Sequence, residues 1–236
     1  MIANSSCEIE VHSIKGIGMQ SALQIKNLTL YLQDKQLLSL NEQVNGGEIL
    51  TIMGPSGSGK SSLLNWLTGT LTSSFSARGE IILDGQSINH LPTHRRHIGV
   101  LYQDALLFSH LSVAGNIAFA MPKANKENGK KINKKQRLEK IDEALTQLGL
   151  AGMGDRHPDT LSGGQQARVA LLRLLLSEPK AILLDEPFSK LDTQLRVETR
   201  QLVFEQIRER NLPAIMVTHD HSDAEATQGK VIQVAV

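Results

Sequence analysis

The nine residues Gly54, Pro55, Ser56, Gly57, Ser58, Gly59, Lys60, Ser61 and Ser62 constrain this chain more than any other stretch. They fit Gly-x-x-x-x-Gly-Lys-Ser, with Gly54, Gly59, Lys60 and Ser61 at the fixed positions. The preceding "EILTIM" reads as a strand and the following "SLLNWLTG" as a helix. Glycines in such a place let the backbone turn until successive N–H groups point at one anion, and the new helix adds its positive end. Lys60 is then placed to reach the β- and γ-phosphates of a nucleotide, and Ser61 to ligate Mg²⁺. A Gly/Ser-rich turn could match by accident. With glycine at about 7% of residues, however, roughly one such chain in a hundred or fewer would do so, and the flanking strand and helix lower that further.

A phosphate loop could belong to a kinase, a GTPase or a motor, so the remaining motifs must choose. "AILLDE" is an apolar strand that ends in two acids. Asp185 is suited to the hydration shell of Mg²⁺, and Glu186 to orienting and deprotonating the water that attacks a γ-phosphate. "LSGGQ", residues 161–165, directly precedes a helical pattern. There Ser162, Gly163 and Gly164 offer a hydroxyl and closely approachable N–H groups at a helix N-terminus, a second anion site. The plainer alternative is a flexible turn with Ser162 as N-cap.

Around these motifs the patterning is α/β. "LQIKNLTLYL" and "LLSLNEQV" read as antiparallel strands, with another strand pair around "GEIILDG" and "IGVLYQ". "AILLD" and "PAIMVTH" have the short apolar form of buried parallel strands. Helices fall between them, in "QQARVALLRLLLSE" and "TQLRVETRQLVFEQIRER". That alternation predicts a layered core with its ligand site at the carboxyl ends of the strands. From about Asp104 to Thr160 no strong strand pattern occurs, and "SVAGNIAFAM" and "KIDEALTQLGL" read as helices, which suggests an inserted helical subdomain. It contains the basic run "PKANKENGKKINKKQR". Such a run is a solvated face in most proteins, with contact to lipid headgroups or nucleic acid as the alternatives.

Composition removes several other classes. The chain has 236 residues with 25 basic and 24 acidic side chains, so no global field recruits nucleic acid or an anionic membrane. Its apolar runs are too short for a transmembrane helix. The single cysteine, Cys7, cannot form an internal disulfide and suits a reducing cytoplasm. Residues 1–20 lack a secretory pattern and read as a flexible extension, with Met19 an alternative start, followed by one domain over 21–236.

The order of motifs resembles the ATP-binding-cassette ATPases from about Leu23 to His221: "GPSGSGKS", Gln103 in "LYQD", "LSGGQ", "LLDEP", "SKLD" and His219 in "VTHD". The resemblance implies a P-loop NTPase, RecA-like α/β core with an antiparallel β-subdomain and an inserted α-helical subdomain. It implies ATP and Mg²⁺ as ligands, with Gln103 contacting Mg²⁺ or the attacking water, His219 holding the γ-phosphate and Asp192 communicating across a dimer. Tyr31 matches the family's aromatic platform for adenine; a half-buried strand tyrosine is the alternative. The resemblance further implies head-to-tail dimers, each ATP held between the phosphate loop of one copy and the "LSGGQ", Ser162 to Gln165, of the other.

Within that family the single cassette and "HLSVAGNIAFAM" are similar to bacterial importer ATPases of the thiamine, iron, molybdate and maltose kind. The implied partners are a second ATPase copy, a separate membrane permease and a periplasmic solute-binding protein, with no nucleic acid. The implied place is the cytoplasmic face of the membrane. An ATPase of a lipoprotein-export or cell-division complex is the alternative. Two departures stand out. Lys190 in "SKLD" replaces a small or polar residue and is expected to be tolerated on a loop. The stretch after "THDHSDAEATQGK" leaves room for about one strand, and no regulatory β-domain is expected after it.

Overall fold

The computed structural model describes residues 21–124 and 131–234. The extension expected over residues 1–20 and part of the basic run, residues 125–130, lie outside them. The described chain opens with β1 (Ala22–Leu32) and β2 (Lys35–Asn45), which pair antiparallel as the alternation predicts. Leu23, Ile25, Leu28 and Leu30 are buried. The step from Ile25 to Leu28 is accommodated by a shift in register beside Asn27, whose φ is 48°. Next come β3 (Ile49–Met53) and α1 (Lys60–Thr68), then β4 (Phe75–Leu83) and the two-residue β5 (Gln86–Ser87).

The strands expected around "GEIILDG" and "IGVLYQ" both form, but they join different sheets. β4 pairs antiparallel with β1. The second is β6 (Ile98–Tyr102), which runs parallel to a strand formed far later in the chain. Alternation reports which face of a strand is buried and says nothing of which neighbour it takes.

Three helices follow: α2 (Val113–Ala120), α3 (Lys134–Gln147) and α4 (Gly163–Leu175). Local chemistry starts each one, since Ser112 and Ser162 cap α2 and α4, and Asn133 with Gln136 closes a capping box on α3. Arg137 then reaches from α3 to the main-chain oxygens of Ala118 and Met121 at the end of α2. The chain continues through β7 (Ala181–Asp185), α5 (Thr193–Glu209), β8 (Ala214–Thr218), α6 (His221–Ala226) and β9 (Val231–Gln233).

Two sheets result, an antiparallel one of order β2-β1-β4-β5 and a parallel one of order β6-β7-β8-β3-β9. β3 and β8 are buried at every residue and β7 at all but its last, the condition under which strands become continuously apolar. Because successive side chains alternate, the parallel sheet feeds two cores. Leu50, Ile52, Leu183, Ile215 and Val217 meet Leu63, Trp66 and Leu67 of α1 and the apolar face of the antiparallel sheet. Ile182, Leu184 and Met216 meet α2, α4 and α5 on the other side. The helix that follows the phosphate loop is thereby held in the same core as both sheets. Among the described residues no helix is long and apolar enough to cross a membrane.

Candidate nucleotide site

The loop after β3 has the backbone an anion site requires. Gly59, the residue before α1, takes φ 89° and Gly57 φ 84°, a left-handed region that favours glycine. At Gly54 the constraint is space, since a Cβ there would lie 2.6 Å from the Val234 main-chain oxygen. Pro55, Ser56 and Ser61 are exposed, Ser62 is half-buried, and the buried Ser58 hydroxyl has no hydrogen-bond partner among the described residues. Lys60 is only 7% exposed, and its Nζ donates to the main-chain oxygens of Gly54 at 2.7 Å and Pro55 at 2.8 Å. The cation is thus folded back over its own loop and held by neutral acceptors.

Parallel register carries the other motifs to the same edge. Met53 pairs with Thr218, Asp185 with Val217, and Tyr102 with Asp185. The chain leaving β3, β8, β7 and β6 therefore presents Gly54, His219, Glu186 and Gln103 side by side, in that order. Burial raises the Asp185 carboxyl above its ordinary value, Glu186 pushes the same way, and Lys60 offsets part of the rise. Glu186 stands next to it with φ 46°, left-handed for a non-glycine residue, while its N–H donates to the Val217 oxygen at 3.0 Å. Such backbone costs of order 1 kcal/mol and persists where its surroundings over-determine it. His219 Nδ1 lies 3.1 Å from Glu186 Oε1. Gln103 is exposed one residue beyond β6.

Three groups of expected site residues lie elsewhere. Tyr31 is half-buried on β1, between Gln36 of β2 and Ser76 of β4. Ser162 and Gln165 are engaged with each other at the start of α4: Ser162 Oγ accepts from the Gln165 N–H, and Gln165 Oε1 from the Ser162 N–H. A Cβ on Gly163 would meet nothing within 4 Å, whereas one on Gly164 would lie 2.4 Å from Leu195 Cδ1 of α5. No hydrogen bond or ion pair joins Ser162–Gln165 to residues 54–62 among the described residues. Asp192 caps α5, accepting from the Leu195 N–H at 3.0 Å.

Two supporting arginines had no sequence signal. Arg96 is buried and donates to the oxygens of Trp66 and Leu67 at the end of α1, and to those of Leu91 and Asn89. Arg173 of α4 donates to the oxygens of Ala105 and Leu106, just after Gln103, and lies over the Phe108 ring. Burial lowers both guanidinium values. Their partners are main-chain carbonyls, which leave no mark in a sequence.

A phosphate loop between a fully buried parallel strand and its helix, with two acids at the end of a nearby parallel strand and an antiparallel sheet alongside, defines an ATP-binding domain of the phosphate-loop ATPase class. The chain belongs to the ABC transporter family, whose model matches residues 37–189. It is 48% identical over 205 residues to YnjD of Escherichia coli K12, described as an uncharacterised ABC transporter ATP-binding protein, covering 86% of this chain and 91% of that one. To the Fe(3+) ions import ATP-binding protein FbpC 2 of Haemophilus influenzae it is 39% identical over 226 residues, covering 90% of this chain and 61% of that one. Among solved structures, CbiO1 of Clostridium perfringens, described as part of the ABC transporter complex CbiONQ, superposes with a TM-score of 0.75 at 28% identity over 91% of this chain and 85% of that one. The chain thus spans about three fifths of the iron-import relative's length.

Proposed function

We propose that this chain hydrolyses ATP as one half of a head-to-tail pair and powers a separate membrane permease, most directly for solute uptake. The observation that supports this best is the level row formed by the phosphate loop, His219, Asp185 with Glu186, and Gln103 on neighbouring parallel strands. In this reading the N–H groups of residues 54–62 and Lys60 bind the phosphates, with Lys60 exchanging its two carbonyl partners for phosphate oxygens. Tyr31 stacks on adenine. Glu186 accepts the proton of the attacking water, and its left-handed backbone fixes where that carboxylate points. His219, 3.1 Å from it, bridges Glu186 and the γ-phosphate.

Ser61, Gln103 and Asp185 are the residues that would hold Mg²⁺. Hydroxyl, carboxamide and carboxylate oxygens are the hard donors this cation takes, and a carboxylate raised by burial and an acidic neighbour is one that a cation would relieve. The chemistry it supplies is neutralisation of charge on the β- and γ-phosphate oxygens. Ser162, Gly163, Gly164, Gln165 and Asp192 serve the site of a second copy. Gly163 is the fitting point of approach because no described residue lies within 4 Å of where its Cβ would sit.

The permease has a suitable seat. An apolar groove of about 470 Å³ is lined by Tyr102, Leu106, Phe108, Phe119 and Leu174, and Phe119 is 70% and Leu106 58% exposed. Exposed aromatic and aliphatic side chains gathered at a groove mark a docking surface. Uptake, as against other transport, is supported by the iron-import relative.

The test is ATP turnover by the purified chain and by its assembly with whatever permease the Glu186→Gln form recovers from native membranes in ATP. Turnover is expected to fall at least about 100-fold in Lys60→Ala. Lys60-independent turnover, or recovery of ribosomal or chromosomal proteins alone, overturns the reading.

A further inference from the structure

We propose that Lys190 and Asp104 are a positioning pair, fixing the loop that follows Glu186 relative to the loop that carries Gln103. The inference rests on the roles given to Glu186 and Gln103 above. Lys190 Nζ lies 2.5 Å from Asp104 Oδ1, across 86 positions of sequence. Asp104 directly follows Gln103, and Lys190 stands between Glu186 and Asp192, the cap of α5.

Each loop is separately anchored. Arg173 holds the oxygens of Ala105 and Leu106 at 2.9 and 2.8 Å. On the other loop, Ser189 donates twice to the Glu186 oxygen, from N at 3.2 Å and from Oγ at 2.9 Å, and the Leu191 N–H donates to the Phe188 oxygen at 3.2 Å. Between the loops lies a cleft of about 160 Å³ whose lining includes Gln103, Gly163, Gln166, Leu191 and Thr199. The Thr199 hydroxyl is buried and has no hydrogen-bond partner among the described residues. The two loops therefore face each other across a gap, and the ion pair spans it.

Its side chains are 53% and 59% exposed. An ion pair this open adds little to stability in salt, so its effect is on geometry. The pairing of Tyr102 with Asp185 fixes where the two loops leave the sheet. Beyond that point, with one loop held by Arg173 and the other by its own turns, this contact sets how the neighbour of Gln103 stands against the loop that follows Glu186. Displacements of about 1 Å at such a centre change rates by up to about 100-fold. The lysine that departs from the family pattern at this position thus has a partner and a task.

Steady-state ATP turnover by the full chain tests the pair, using Lys190→Ala, Asp104→Asn and the reversed double variant Lys190→Asp with Asp104→Lys. Amide hydrogen exchange of the same proteins without nucleotide is measured alongside. Each single variant is expected to lower kcat about three- to ten-fold with KM for ATP within about two-fold, and the reversed pair to restore most of it. Exchange at residues 104–106 and 187–192 is expected to quicken in both single variants while the thermal midpoint stays unchanged. Unaltered kcat in both single variants, or a reversed pair as slow as they are, overturns the proposal. Should the wild-type chain show no Lys60-dependent turnover, the functional reading falls, and exchange still decides the tether: no change in either loop overturns it, and faster exchange leaves it standing without its catalytic consequence.

Discussion

At the scale of a single residue, Asp185 shows what this site costs the folded chain. Burial and Glu186 raise its carboxyl, so the ionised form is disfavoured in the folded state. A carboxylate whose folded value is raised subtracts stability as pH climbs through its unfolded value, and the loss is complete above the folded value. Asp185→Asn removes that charge. The variant is expected to unfold at a higher temperature than wild type at neutral pH without nucleotide, while its ATP turnover falls by about 100-fold or more. Differential scanning calorimetry beside an ATPase assay checks both, and a lowered midpoint would contradict the account. Asp220 has the opposite sign. Hydrogen bonds from Ser222, with help from Arg196, hold its carboxyl down at about 2. Its stabilisation is full above the ordinary value of 3.8 and is lost as pH falls from there through about 2. Asp220→Asn should flatten the acid limb of a stability-against-pH curve in that window.

At the scale of elements, glycine choice separates packing from proposed ligand contact within one motif. Gly164 faces Leu195, so Gly164→Ala pushes α4 from α5 or Leu195 from its rotamer, at an expected cost of about 1–3 kcal/mol in urea unfolding. Gly163→Ala meets open space and should change stability by no more than about 0.5 kcal/mol, while weakening ATP-dependent pairing of two copies in size-exclusion chromatography. Arg96 closes the far end of α1 by binding the Trp66 and Leu67 oxygens, where a cation also suits the helix dipole. Arg96→Met leaves those carbonyls buried and is expected to cost about 2–4 kcal/mol.

The same elements show what the sequence could reveal. Lys60 was legible from the Gly-rich loop and Asp185 from the acids that end an apolar run, whereas Gln103 and His219 carried no such local mark and came only with the resemblance to the family. Arg96, Arg173 and the Lys190 to Asp104 contact were not, since each depends on partners brought close only by tertiary folding. The sheet to which β6 belongs was hidden for the same reason, because its neighbour β7 begins at Ala181.

At the scale of the whole molecule, two exposed features define how this chain would be used, the open approach at Gly163 and the apolar groove around Phe119. Glu186→Gln is expected to retain ATP, turn it over about 100-fold or more slowly, and elute as a dimer with ATP and as a monomer without it. Phe119→Asp places a charge in the groove and should cut recovery of permease chains from solubilised membranes by about 30-fold, with turnover by the isolated chain unchanged.

The pairing of β3 has a consequence for biogenesis. That strand, which delivers the phosphate loop, takes both of its neighbours, β8 and β9, from residues 214–233. The antiparallel β1, β2 and β4 can zip together early in synthesis from contacts close in sequence, whereas β3 must wait until residues 214–233 have left the ribosome. A nascent chain cut short before Ala214 would carry the phosphate loop without either of the strands that flank β3. The sheet around the phosphate loop is thereby withheld until β8 and β9 have both been made.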